Sequence, residues 1–145
     1  MEFRSEIIIN RSVKEVFRFT TSSKNLSRWV DGFQTFRSIK GRNRGERSIA
    51  THIYKDSAGI LEVHEEVIEI IADKLFKSRL THKNMDTVLA LRFLDQGSGT
   101  KIITEAQVKL KPAIFNLFSL FMKGQMKKQQ QADLRRLKQV IEANK

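Results

Sequence analysis

Four glutamates crowd one short stretch of the chain, Glu62, Glu65, Glu66 and Glu69. General acid–base chemistry needs a carboxyl held out of bulk water beside a substrate. In an extended segment side chains alternate between faces, so Glu65 shares a face with Leu61, Val63 and Val67. Without an intervening bulge it points inward, where Tyr54 or His64 could accompany it. Glu65 is thus a weak catalytic candidate, a general acid or base for a cyclase or dehydratase. A bulge would turn it to solvent instead.

The three histidines, His52, His64 and His82, raise the question of a metal. They fall on three separate segments and none is paired at ligand spacing, so no metal site is expected. His82 shares parity with Phe76, Ser78 and Leu80 and could reach a cavity mouth; His52 and Tyr54 share a face whose direction is ambiguous. The chain has no cysteine, which removes disulfides, thiolate ligands and a cysteine nucleophile. Nothing calls for a cofactor.

The 145 residues suit one domain, 1–145, and 40% hydrophobic residues suffice for one core. Ile7-Ile8-Ile9 is too short for a signal-peptide core, and no run approaches the roughly 18 apolar residues of a membrane span, so the chain reads as soluble and cytoplasmic. The net charge is +11, from 27 Lys+Arg against 16 Asp+Glu. Such a surface aids solubility and attracts anionic partners, whether nucleic acid, acidic lipid or acidic protein. Nucleic acid is disfavoured as a partner, for the sequence has no recognition helix, no zinc finger and little aromatic interleaving.

The elements that must position these groups follow from periodicity. Residues 3–9 predict a strand. Ser12 with Glu15 forms a capping box opening a helix to about Thr21, whose face carries Val13, Val16, Phe17 and Thr20. Ser22-Ser23 can cap a second short helix with Leu26, Trp29 and Val30, closed by Asp31-Gly32. Turn-type breaks at 41–45, 56–59, 72–74, 82–86 and 95–99 then divide the chain into six strands, about 33–40, 46–55, 60–71, 75–82, 86–94 and 100–110. Short links imply an antiparallel meander. The last strand alternates clearly: Ile102, Thr104, Ala106, Val108 and Leu110 share one face. In the strand before it Leu89, Leu91 and Phe93 do so. Pro112 ends the sheet, and a helix of about 45 Å runs from Ala113 to about Ala143. Its apolar stripe is Phe115, Phe118, Met122, Met126, Leu134, Leu137 and Ile141, with polar Gln130 interrupting it. A sheet with one wet face must bury the other. A curved seven-stranded sheet cannot lie flush along a straight rod, so a cavity, or a loosely filled space, is expected between them.

That order, with particular residues, resembles the START and polyketide-cyclase-like superfamily (SRPBCC), which includes the birch pollen allergen type. The residues that carry the resemblance are Ile9 to Phe17, then Asn25-Leu26-Ser27-Arg28-Trp29, the apolar-acidic run Glu66 to Leu75, and the turn Gly97-Ser98-Gly99-Thr100. It covers essentially the whole chain. Val30 and Ala72-Asp73 stand where the family often has prolines. The resemblance implies an α+β helix-grip fold, a seven-stranded curved antiparallel sheet in the order β-α-α-β6-α around a long C-terminal helix. It implies a pocket for lipids, sterols, polyketides, quinones or hormones.

The expected ligand pocket comprises Trp29, Leu89, Leu91, Phe93, Ile102, Thr104, Ala106, Phe118, Met122 and Met126. For Trp29 a plug of the core between the short helices and the sheet is the preferred reading over the pocket mouth, and the methionines could be plain packing. Phe115, Leu117, Phe118, Leu120, Phe121 and Met122, followed by Lys123, Lys127 and Lys128, could touch an anionic membrane peripherally, although enclosure of this helix start by the sheet end and the two short helices is the preferred reading. Three functions remain open. The first is binding or transport of a hydrophobic small molecule, the second a cyclase or dehydratase using the same cavity, the third a basic interaction protein with an anionic partner. Binding is preferred over catalysis, because it needs no catalytic residue.

Overall fold

The computed structural model describes residues 1–111 and 118–144, and of 118–121 the backbone alone. The chain opens with β1 (Glu2–Ile9), then α1 (Val13–Thr21), a single 3-10 turn (Ser23–Asn25) and α2 (Leu26–Trp29). Six strands follow: β2 (Phe33–Lys40), β3 (Ile49–Asp56), β4 (Gly59–Ile71), β5 (Leu75–His82), β6 (Met85–Asp95) and β7 (Thr100–Leu110). The last element is α3 (Phe118–Ala143). Residues 112–117, on which the expected helix start at Ala113 and the residues Phe115 and Leu117 fall, lie outside the described residues.

All neighbours in the sheet are antiparallel, in the order β1-β7-β6-β5-β4-β3-β2. Consecutive strands from β2 to β7 pair through short turns, and β1 returns to the far side of β7. This is the α+β helix-grip architecture. The two short helices carry the chain from one edge strand to the other. The β4 bulge lies between Val67 and Glu69, beyond Glu65, so Leu61, Val63, Glu65 and Val67 keep one parity.

Local chemistry explains the N-terminal crossing. Ser12 caps α1 by accepting the Glu15 N–H at 3.3 Å. The reciprocal arm expected of a capping box is not made, because the Glu15 carboxylate lies 3.6 Å from Arg11 Nε instead. Ser22 provides no side-chain cap to the next turn, contrary to expectation. That turn is held by Asn25, whose backbone N–H reaches Ser22 O at 3.1 Å and whose side-chain amide reaches Phe19 O at 3.2 Å. Gly32 has φ of +77°, and a Cβ there would stand 2.8 Å from Lys55 O, so the entry to β2 requires glycine.

The core gathers where α3 meets the sheet. Leu134, Leu137 and Ile141 pack with Ile9, Val16, Phe76, Phe93 and Ile102, each at most 2% exposed. Polar contacts pin the same end of the helix. Asn10 N–H donates to Glu142 Oε2 at 2.8 Å, Lys138 Nζ donates to Ile8 O at 2.8 Å, and Arg11 donates to the carbonyls of Glu142 and Asn144. A cation on the last carbonyls also suits the negative end of the helix dipole.

Candidate functional site

Between the inner face of the sheet, α2 and the middle of α3 lies a cavity of about 360 Å³. Such a volume falls in the range of small-molecule sites. Its sheet wall is built by the period-2 alternation of the strands: Leu61 and Val63 of β4, Leu80 of β5, Leu89 and Leu91 of β6, Ala106 of β7. Leu26 and Trp29 of α2 and Met126 and Leu134 of α3 face them.

A charged cluster is set into this apolar wall. Arg44, in the β2–β3 loop with φ of +55°, grips Glu65 with two parallel hydrogen bonds, Nη2 to Oε2 at 3.0 Å and Nε to Oε1 at 3.2 Å. Its Nη1 donates to Thr21 O at 3.1 Å and its guanidinium covers the Phe76 ring at 4.3 Å. Both side chains of the pair are under 10% exposed. His52 Nε2 stands 3.3 Å from Glu65 Oε1 without the alignment of a full hydrogen bond. Burial alone would raise the Glu65 pKa. The Arg44 charge, with His52 beside it, outweighs burial and holds it lowered to about 2. Phe33 sets its neighbours edge-on, 5.2 Å from the His52 ring and 5.5 Å from that of Tyr54. Burial pushes the Tyr54 phenol up, and the Glu65 charge adds to it.

At the helix side Asp133 ties α2 to α3. Its Oδ1 accepts from Asp31 N–H at 3.2 Å, Gln129 Nε2 at 2.8 Å and Arg136 Nη1 at 3.2 Å, while Arg136 also donates to Trp29 O at 2.9 Å. Burial pushes the Asp133 carboxyl up against those bonds.

Of the expected pocket residues, Trp29, Leu89, Leu91, Thr104, Ala106 and Met126 face the cavity. Trp29 does so while also packing in the core. Phe93 and Ile102 do not face it. They belong to the core, Phe93 meeting Phe17 edge-on at 5.0 Å. Parity assigns a residue to a face, but the far end of that face is filled by α1 and the C-terminal half of α3. Met122 packs beside Phe3, Ala106, Val108 and Leu110 and is not among the lining residues. The side chain of Phe118, like those of Leu120 and Phe121, lies outside the described residues.

Glu65 faces the cavity, as its parity predicts, but its partners are Arg44 and His52. His64 is on the outer face, 3.1 Å from Thr51 Oγ1. With both oxygens held and the carboxyl fixed as an anion, Glu65 has no proton to give near neutral pH and is a poor base. The three histidines do not converge, although His52 and His82 both line the cavity. Among the described residues no three His, Asp or Glu side chains are placed to hold a metal, and no helix is long and apolar enough to cross a membrane. Sequence reasoning missed Arg44, which sits in a segment read only as a turn. Gln130, noted as a polar break in the helical stripe, lines the cavity.

A family model described as polyketide cyclase / dehydrase and lipid transport matches residues 1–142. No curated protein matches the chain in sequence. Among solved structures, TTHA0849 from Thermus thermophilus superposes with a TM-score of 0.81 at 17% identity, over 99% of this chain and 98% of that one. Ara h 8.0201 does so with a TM-score of 0.80 at 10% identity, covering 99% of each chain. The di-domain ARO/CYC protein StfQ from the steffimycin biosynthetic pathway reaches 0.79 at 8% identity, over 98% of this chain and 50% of its own. At these identities the likeness is one of fold.

Proposed function

The chain belongs to the polyketide cyclase / dehydrase and lipid transport family, and from that premise we propose that it binds or carries a hydrophobic small molecule, a lipid, a polyketide or a compound of similar shape, between sheet and α3. The observation that carries this reading is the apolar cavity of about 360 Å³. A cored domain without a ligand to hold packs to crystal-like density, whereas here, among the described residues, leucines from three strands face α3 across open space. Family membership supports the same reading. The Arg44–Glu65 pair speaks against acid–base catalysis by Glu65, so the binding role stands ahead of a cyclase or dehydratase role.

The test is occlusion. Ala106 is 2% exposed, lines the cavity, and is paired in register with Phe3 and Leu89. Ala106→Trp should reduce uptake of a neutral fluorescent probe such as N-phenyl-1-naphthylamine at least tenfold while the protein stays folded by circular dichroism. Undiminished uptake by the folded variant would remove the cavity as the binding site. Mass spectrometry of the native protein purified from its own host should also show a co-purified apolar mass.

A further inference from the structure

Five of the seven buried side-chain nitrogen and oxygen atoms without a partner in the chain, among the described residues, belong to residues that line the cavity. They are Trp29 Nε1, both ring nitrogens of His52, Thr104 Oγ1 and Gln130 Oε1. Trp29, His52 and Thr104 are each more than nine-tenths buried. A buried polar group in a folded protein has a hydrogen-bond partner in the great majority of cases, and leaving one unmade costs about 1–3 kcal/mol. These groups are spread over three walls, α2 with α3, β3, and β7. They include an obligate donor, the indole N–H, and an obligate acceptor, the amide oxygen of Gln130.

The charges on the same surface set a second condition. Arg44 is neutralised by Glu65 at 3.0 Å. The other formally charged lining residues are the carboxylates Asp31 and Asp133, the latter bound to Arg136. Although the chain carries +11 overall, its interior presents no free cation among the described residues.

We infer that the cavity selects an uncharged molecule bearing hydroxyl groups over a carboxylate or an ether of the same length. A hydroxyl both donates and accepts, so it can satisfy Gln130 Oε1 as well as Trp29 N–H. A carboxylate only accepts, leaves the amide oxygen unpaired and finds no unpaired cation among the described lining residues to offset the burial of its charge. An ether also only accepts, and this separates hydrogen-bond matching from simple avoidance of charge. The inference rests on the binding role proposed above and narrows its ligand class.

The test is competition against N-phenyl-1-naphthylamine on the full chain at about 0.15 M salt, the ionic strength that shortens the Debye length to about 8 Å. The competitors are 1-decanol, decanoate and decyl methyl ether below their aggregation limits. Decanol should displace the probe at a concentration at least tenfold lower than either of the others. Decanoate or the ether displacing it as well as decanol overturns the selectivity and leaves the binding role standing. Displacement by none of the three also overturns it. Failure of the probe itself to bind removes the binding role and the selectivity together.

Discussion

Arg44→Met should lower the stability of the fold by about 3–5 kcal/mol at neutral pH, the usual cost of stripping one partner from a buried ion pair. The variant leaves Glu65, 4% exposed, as an anion facing His52 and an apolar wall. It also loses the hydrogen bond to Thr21 O and the cover over Phe76. Methionine is unbranched, so the positive φ at position 44 strains it little more than it strains arginine. The paired replacement Arg44→Met with Glu65→Leu removes the stranded charge and should recover most of the loss, since apolar substitutes for a buried pair are often neutral or stabilising. Urea denaturation of wild type, both single variants and the double variant measures this directly. A cost below about 1 kcal/mol for Arg44→Met would mean that water already solvates the pair.

The same pair dictates an acid limit. Glu65 moves from an ordinary 4.5 to about 2 on folding. A depressed carboxyl pKa means stability that is complete above the unfolded value and lost as pH falls through the folded one. The wild type should therefore lose roughly 3 kcal/mol from this group between about pH 4.5 and pH 2. In Arg44→Met the carboxyl has lost the charge that held its proton off, and burial favours the neutral form. The gap between wild type and variant should shrink across that window. A gap independent of pH would assign the loss to packing.

Much of the fold was legible because its signals are local. The five turn-type breaks separated strands whose observed bounds differ from the expected ones by at most three residues. The alternation of Ile102, Thr104, Ala106, Val108 and Leu110 placed the buried face of β7 correctly, with Ile103 the buried exception on the other side. Glu65 was legible as an inward carboxylate because the β4 bulge comes only after Val67. Arg44 was not, since a loop residue has no periodicity and its partner is 21 positions away. Nor could parity divide the inner face into a packed end and an open end. Phe93 and Ala106 read alike along their strands, yet one is covered by α1 and the other looks into the cavity. That division depends on where α3 lands, which is a tertiary fact.

The division is testable on α3 itself, by two truncations on one helix that should differ sharply. Leu137 is fully buried among Ile9, Val16, Phe93 and Ile102, so Leu137→Ala should cost about 2–5 kcal/mol, the transfer term plus a new void. Met126, about three turns earlier, is half-buried and already borders open space. Met126→Ala removes fewer close contacts and creates no closed void, so it should cost under about 1.5 kcal/mol, below the roughly 2–5 kcal/mol of a fully buried truncation. It should also enlarge the space for ligand and admit longer alkyl chains. Alanine has good helix propensity at both positions, so the helix itself is not the variable. Thermal and urea melts of the two variants, with probe uptake measured alongside, give the comparison. Equal losses at positions 126 and 137 would show an interior packed along its whole length, leaving no room for a guest beneath α3.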